Sequence, residues 1–187
     1  MRRRRLLDAA WRCLEQSSFS ELTVDDVCDA AALSKGSFYG YFSSKRELLY
    51  ALVEDDAERL ERAVAEDSDG KTAIERLHQF AQAAFAAADD RARAQLAADA
   101  WAAAADDAEL ASRLRSAVDR RRILVRAWIE QGTADGSFRT MPENALASVL
   151  LALVDGLVLH HRFDPTGFRW GNVRIAVHVL LDGLVAR

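Results

Sequence analysis

At 187 residues the chain is long enough to bury a sizeable core and short enough for one or two domains. Two prolines, two cysteines, an alanine- and leucine-rich composition and no alternating apolar pattern exclude a disulfide scaffold, a zinc module and a β-sandwich, and predict an all-α fold. The net charge of −4 excludes a uniformly basic nucleic-acid binder, yet eight of the 25 basic residues fall in the first 50 positions, clustered at Arg2–Arg5 and around Lys35–Arg46.

A first helix is predicted from Arg2 to about Ser17, with Leu6, Ala10, Cys13 and Leu14 inward. Its arginines are either a basic arm for a phosphate backbone or a solvated helix start. No apolar h-region follows them, so no signal peptide is expected and the chain is expected in the cytoplasm. Cys13 and Cys28 read as small core residues in a reducing compartment. Phe19 and Leu22 pack the corner before the next helix.

The stretch TVDDVCDAAALSKGSFYGYF, Thr23–Phe42, organises the rest. Thr23 is a good N-cap with carboxylates behind it, and Val24, Val27, Cys28 and Ala31 share a helical face. After a break at Ala32–Ser34, a very short helix is predicted over Lys35–Phe42. Phe38 and Phe42, one turn apart, anchor it, and Gly36 and Gly40 fall on the opposite side between Ser37 and Tyr39. This is a helix-turn-helix layout. Each glycine costs a helix about 1 kcal/mol relative to alanine, and the return is close approach to another surface. Lys35, Ser37, Tyr39 and Tyr41 suit phosphates and base edges.

LLDAA, TVDDV, SKGSFYGYF and SSKRELL, in this order and spacing across Arg5–Leu49, resemble the TetR family of transcriptional regulators. The resemblance implies an N-terminal three-helix DNA-binding domain at 1–48 and a helical ligand-binding and dimerisation domain at 49–187, about nine helices in all. It makes Lys35–Tyr41 the recognition helix. The DNA contacts it implies are Thr23, Ser34, Lys35, Gly36, Ser37, Tyr39, Gly40, Tyr41 and Lys45. Ala32 and Ser18 stand where the family favours glycine, so either position is strained if it needs positive φ.

Ser43 or Ser44 is expected to cap a long helix reaching about Glu66, with Leu49, Leu52, Val53, Leu60 and Val64 inward. A polar turn at Asp67–Lys71 leads to a Thr72/Glu75 capping box and a helix over Ala73–Ala88. Further helices are expected at about Arg91–Ala105, carrying Leu96 and Trp101, and from Ala108 to Gln131, ending at Gly132. A second capping box, Thr140/Glu143, precedes Glu143–Arg162; a turn at Asp164–Gly167 and a last helix, about Trp170–Ala186, follow. The apolar run Leu146–Leu159, broken by Ser148 and Asp155, is short for a bilayer, so no membrane partner is expected. The two final helices are too apolar for one-sided burial. A homodimer through residues 143–186 satisfies them; the alternative is a central helix of a monomeric bundle.

The TetR resemblance also implies a small-molecule pocket. Candidates are Phe80, Phe85, Trp101, Trp128, Asp155 and His160, with His161 pointing elsewhere; aromatics at helical spacing are also ordinary core. LLALVDGLVLHHRFDP resembles the branch that includes choline-responsive betaine-pathway repressors, without naming an effector. No nucleophile–base pair, metal spacing or phosphate loop is present in the sequence, so neither an enzyme nor a metal or cofactor is expected. The reading is a repressor that binds a palindromic double-stranded DNA operator as a homodimer and is released by a small-molecule effector. An activator, or a partner-binding adaptor with the same fold, is the alternative.

Overall fold

The computed structural model describes residues 1–65, 70–164, 167 and 169–186. Among them are nine helices: α1 Arg2–Leu14, α2 Val24–Ala31, α3 Lys35–Tyr39, α4 Lys45–Ala65, α5 Ala73–Asp89, α6 Arg91–Ala103, α7 Ala108–Ala134, α8 Glu143–Phe163 and α9 Trp170–Asp182. No strand occurs among the described residues, only an isolated antiparallel bridge between Phe138 and Val185. The all-α expectation holds. The expected end of α4 at Glu66 and parts of the Asp67–Lys71 and Asp164–Gly167 turns lie outside the described residues.

The chain packs as two compact units, Met1–Arg59 with Ala87–Ala117, and Leu60–Ala86 with Val118–Arg187. These units are discontinuous in sequence, unlike the expected division at 48 and 49.

In the first unit α1 packs on α2 and α6, and α2 on α3. Leu6, Leu14, Val27, Phe38, Leu48, Leu52, Leu96 and Leu110 are almost wholly excluded from solvent. Leu7 and Trp11 join them, whereas Cys13 is only half-buried: the inner face of α1 keeps Leu6, Ala10 and Leu14 and widens on the Leu7–Trp11 side. Asp55 is the single buried charged residue among those described. It accepts from Trp11 Nε1 at 2.7 Å and Arg59 Nε at 2.8 Å, and from Arg4 Nη1. Burial alone raises its carboxyl, but these donors outweigh that and leave it below the usual carboxylate range.

In the second unit Phe80, Phe85, Val125, Trp128, Ile129, Leu151, Val177 and Leu181 form the core. The Thr72/Glu75 capping box is formed, with Thr72 N donating to Glu75 Oε2 at 2.8 Å. The second box is not. Pro142 is the N-cap of α8 and has no side-chain acceptor, so Thr140 lies too far upstream to cap. Gly132 does not end α7 either. It is buried inside the helix, where an added Cβ would stand 2.4 Å from Phe138 Cδ2. The left-handed glycine that turns the chain is Gly136, at φ 80°. The last helix stops at Asp182 because the chain then pairs alongside residues 137–139: Arg139 N donates to Leu184 O at 3.1 Å and Ala186 N to Ser137 O at 2.8 Å.

The stretch Glu143–His161 of α8 has a mean hydropathy of 1.5, long and apolar enough by composition to cross a bilayer, which the shorter run Leu146–Leu159 did not suggest. Its Ala147, Leu151 and Val154 are buried in the protein, and Asp155 meets Arg121.

Candidate nucleic-acid interface and effector region

Thr23 begins the interface by capping α2. Its Oγ1 accepts from Asp26 N at 3.1 Å, and Thr23 N donates to Asp26 Oδ2 at 2.8 Å, a reciprocal capping box. The Asp26 carboxylate also accepts from the Thr23 hydroxyl at 2.6 Å, and that bond, with the one from Thr23 N, holds Asp26 below the usual carboxylate range. At the other end of α2 the chain turns through Ala32, at φ 50° and ψ 51°. It is the one non-glycine with positive φ among the described residues, so the strain anticipated for Ala32 is present and that for Ser18 is not. An L-residue in this region costs about 1–2 kcal/mol.

Ser34 caps α3, its Oγ accepting from Ser37 N at 3.2 Å. The helix proper is five residues, shorter than the expected Lys35–Phe42, but the amides of Tyr41 and Phe42 still bond to the Phe38 carbonyl at 2.9 Å each. Phe38 and Phe42 are buried with ring centroids 5.5 Å apart, which fixes the inward face. Gly36, Tyr39, Gly40 and Tyr41 are therefore exposed. A Cβ on Gly36 or Gly40 would meet nothing nearer than 3.5 Å, so the protein's own packing requires neither glycine.

The two lysines are engaged within the protein. Lys35 Nζ lies 2.8 Å from Asp25 Oδ1, and this hydrogen bond raises its pKa. Lys45 Nζ donates to Ser20 O at 2.8 Å and sits 5.0 Å from the centre of the Phe19 ring. Partial burial lowers its pKa, against the pull of Asp26 and Asp99. Asp99 also accepts from Phe19 N at 2.6 Å, fixing the segment on which Lys45 rests.

The six effector candidates do not gather at one place. Trp101 belongs to the first unit and is 63% exposed, because the inner face of α6 is Ala92, Leu96 and Ala100. Phe80 and Trp128 pack edge to face at 6.2 Å in the second unit, and Phe85 lies 5.0 Å from Trp170. His160 is exposed, while the His161 ring lies tilted against Trp170, with centroids 4.7 Å apart. Burial pushes the Asp155 carboxyl up, and Arg121, 3.5 Å away, draws it back only in part. A cavity of about 20 Å³ lies among Leu77, Phe80, Val125, Leu150, Val154 and Val177. That is room for about one water, so Phe80 is the only candidate lining it and side chains must move to admit a larger guest.

Two family models cover most of the chain. Residues 6–52 match "Bacterial regulatory proteins, tetR family", and residues 73–186 match "BetI-type transcriptional repressor, C-terminal". The chain belongs to the TetR family. It is similar to the HTH-type transcriptional repressor AcnR of Corynebacterium diphtheriae, 34% identical over 67 residues, which is 36% of this chain and 35% of that protein. It is also similar to the HTH-type transcriptional regulator EthR of Mycolicibacterium smegmatis, 41% identical over 49 residues, 26% of this chain and 23% of the relative. The match thus spans about a third and a quarter of these curated relatives. Over the whole length the fold is that of a transcriptional regulator from Saccharomonospora viridis in complex with choline (TM-score 0.86, 23% identity, 99% and 98% of the two chains). A TetR regulator from Haloarcula marismortui has the same fold (TM-score 0.88, 17% identity, 99% and 98%).

For this TetR-family regulator, sequence reasoning missed several side chains. Trp170 was read only as the start of the last helix, and no local signal pairs it with Phe85 and His161. His78, which stacks on His178 at 4.3 Å and meets Asp182 Oδ1 at 2.8 Å, was not singled out. The arginines at the start of α1 were weighed only as a basic arm or a solvated helix start, whereas Arg5 and Arg12 reach the carbonyls of Ala31 and Ala30 on α2.

Proposed function

We propose that this chain is a repressor that binds a palindromic double-stranded DNA operator as a homodimer and is released by a small-molecule effector. The observation that carries the DNA reading is the outward ridge of α3. Gly36 and Gly40 open the backbone to an approaching surface that the protein's own packing does not supply, beside exposed Lys35, Tyr39 and Tyr41. In this reading Ser37 meets a base edge and Thr23, Ser34 and Lys45 meet the backbone, Lys45 exchanging the Ser20 carbonyl for a phosphate. Residues 1–48 are the reading domain, 49–187 the sensing and dimerising one, and the protein works in the cytoplasm without catalysis.

The dimer reading rests on α8 and α9, where Val149, Leu159, Ile175, Val179 and Leu180 are each more than half exposed. Exposed apolar side chains in this number on two helices consecutive in sequence need cover, and a second copy supplies it. Two recognition helices on a two-fold axis then meet half-sites about 34–36 Å apart. In this reading the effector enters the second unit, which carries Phe80, Phe85, Trp128, Asp155 and His160, and opens the small cavity that Phe80 lines; Trp101 serves as a reporter in the first. Because α4 is one helix from Lys45 to Ala65, displacement of its far end is carried to Lys45. An effector that prefers the DNA-incompetent state a hundredfold supplies about 2.7 kcal/mol of coupling.

The test is footprinting on the region upstream of the gene. Protection of a palindrome that is lost in Lys35→Ala/Tyr39→Ala protein is the expected result, and specific binding that survives both changes refutes the assignment. Choline is the first compound to titrate, since the Saccharomonospora protein holds it. Arg121 already answers Asp155 here, so a cation would have to compete for that carboxylate. Release of the footprint with a change in tryptophan fluorescence identifies an effector.

A further inference from the structure

Arg5 and Arg12 stand two turns apart on α1, and both reach the same end of α2. The last four carbonyls of a helix, here those of residues 28–31, have no partner within it. The turn supplies two. Leu33 N donates to Cys28 O and Ala32 N to Asp29 O, each at 3.0 Å, the paired pattern that closes a helix through a left-handed residue. The remaining two carbonyls are met from α1: Arg12 Nη2 donates to Ala30 O and Arg5 Nη2 to Ala31 O, both at 2.7 Å. The end of α2 is therefore fully satisfied, although the turning residue, Ala32, carries a Cβ where a glycine would be unstrained. Two guanidiniums at a helix C-terminus also suit its negative end.

We propose that Arg5 and Arg12 are positioning residues for DNA recognition. They clamp the strained Ala32 turn from α1 and so fix the direction in which α3 leaves α2, without themselves meeting DNA. This rests on the reading of α3 as the recognition helix. It also separates these two arginines from the remainder of the basic N-terminus. A phosphate contact would act on every duplex alike and through salt, whereas a clamp acts on the match between α3 and its site.

The test uses the full chain and two duplexes, one selected by the wild-type protein from a random-sequence pool and one unselected. Arg5→Gln and Arg12→Gln, singly and together, are made with Ala32 and with Ala32→Gly. The clamp predicts that the double variant binds the selected duplex roughly tenfold more weakly, equivalent to about 1.4 kcal/mol. The unselected duplex should be affected far less and the salt slope should not change. With Ala32→Gly, whose turn needs no clamp, the loss should shrink to about two- or threefold. Equal losses on both duplexes, with the slope reduced by about one per arginine, would make them phosphate contacts and overturn the proposal. Undiminished specific binding would overturn it as well. If the double variant does not fold, the single variants carry the same comparison. Amide exchange at Leu33 reads the clamp without DNA. It should accelerate roughly tenfold in the variants, and an unchanged rate refutes the clamp even if no duplex is ever selected, an outcome that would by itself sink only the DNA reading.

Discussion

The helices that present the reading ridge and those that end the chain bury their apolar side chains very differently. In α1–α3 and the turn that follows, the large inward side chains are nearly inaccessible, Phe38 at 0% and Phe42 at 2%, and the exposed aromatics are the tyrosines Tyr39 and Tyr41. In α8 and α9 Val177 and Leu181 are buried, yet their neighbours Ile175 and Val179 are each 65% exposed. The first region is complete as it stands, and its outer surface is free to be shaped for a charged, hydrated partner. In the dimer proposed above, another apolar surface completes the second. Salt should therefore govern the partner of the first region and have little hold on the partner of the second.

The largest expected effect breaks the closure of the first unit. Asp55→Ala leaves Arg59 without its carboxylate, Arg4 with Asp8 alone and the buried Trp11 N–H without an acceptor, at a cost of about 3 kcal/mol. Because the folded pKa of Asp55 lies below its unfolded value, its stabilisation is present above the unfolded pKa and lost as pH falls through the folded one. Urea unfolding at neutral and acid pH checks both points: the gap between wild type and Asp55→Ala should close in acid, and a constant gap contradicts the linkage.

Next comes the open surface. Leu180→Asp changes a side chain that is 59% exposed in the single chain, so the protomer should fold. In a covered interface the same carboxylate is buried and unpaired, raising the dimer dissociation constant on the order of a hundredfold or more. Sedimentation at micromolar concentration should show a wild-type dimer and a monomeric variant, at low and high salt alike. A wild-type monomer refutes the dimer. A smaller effect, about 1–3 kcal/mol, is expected for Gly132→Ala, which forces a methyl into the Phe138 ring and loosens the pairing of residues 137–139 with the chain end. Thermal unfolding reads it. An unchanged melting temperature would show that Phe138 moves aside freely.

Both regions were legible in the sequence to different depths. The geometry of the outward ridge of α3 could be seen because its signals are local: Thr23 and Asp26 are three residues apart, Phe38 and Phe42 one turn, and caps and glycines act within that range. The clamp on α2 could not, since Arg5 and Ala31 come together only once α1 has packed. For α8 the composition correctly announced more apolar surface than one chain buries. It could not say which residues stay outside: Leu180 and Leu181 are alike as residues, yet only Leu181 is buried. Gly132 misled for a related reason: near a helix end a glycine reads as a stop, whereas here a ring from the next turn packs on it. Trp101 drew attention by its size, but the face of α6 that packs is made of Ala92, Leu96 and Ala100.

The smallest effect sharpens the comparison most directly. Lys35 and Asp25 form a pair in which both side chains are more than half exposed, 62% and 57%. Such a pair adds little to the fold, and a phosphate must compete with Asp25 for the same ammonium. Asp25→Asn removes the competitor, together with a negative charge that would otherwise approach the DNA backbone. Affinity for any duplex should rise about two- to fivefold at low salt, and the salt slope should steepen by up to about one as Lys35 displaces a counterion in full. Asp25 also sits in the first turn of α2, where a carboxylate favours the helix, so a slight loss of stability should accompany the gain in binding. Anisotropy of a labelled duplex across a potassium chloride series measures both affinity and slope. If Asp25→Asn binds no better and the slope stays put, Lys35 does not meet a phosphate. The same change should leave the oligomeric state untouched, because Asp25 lies in the first unit, whereas Ile175, Val179 and Leu180, which need cover, are apolar residues of the second.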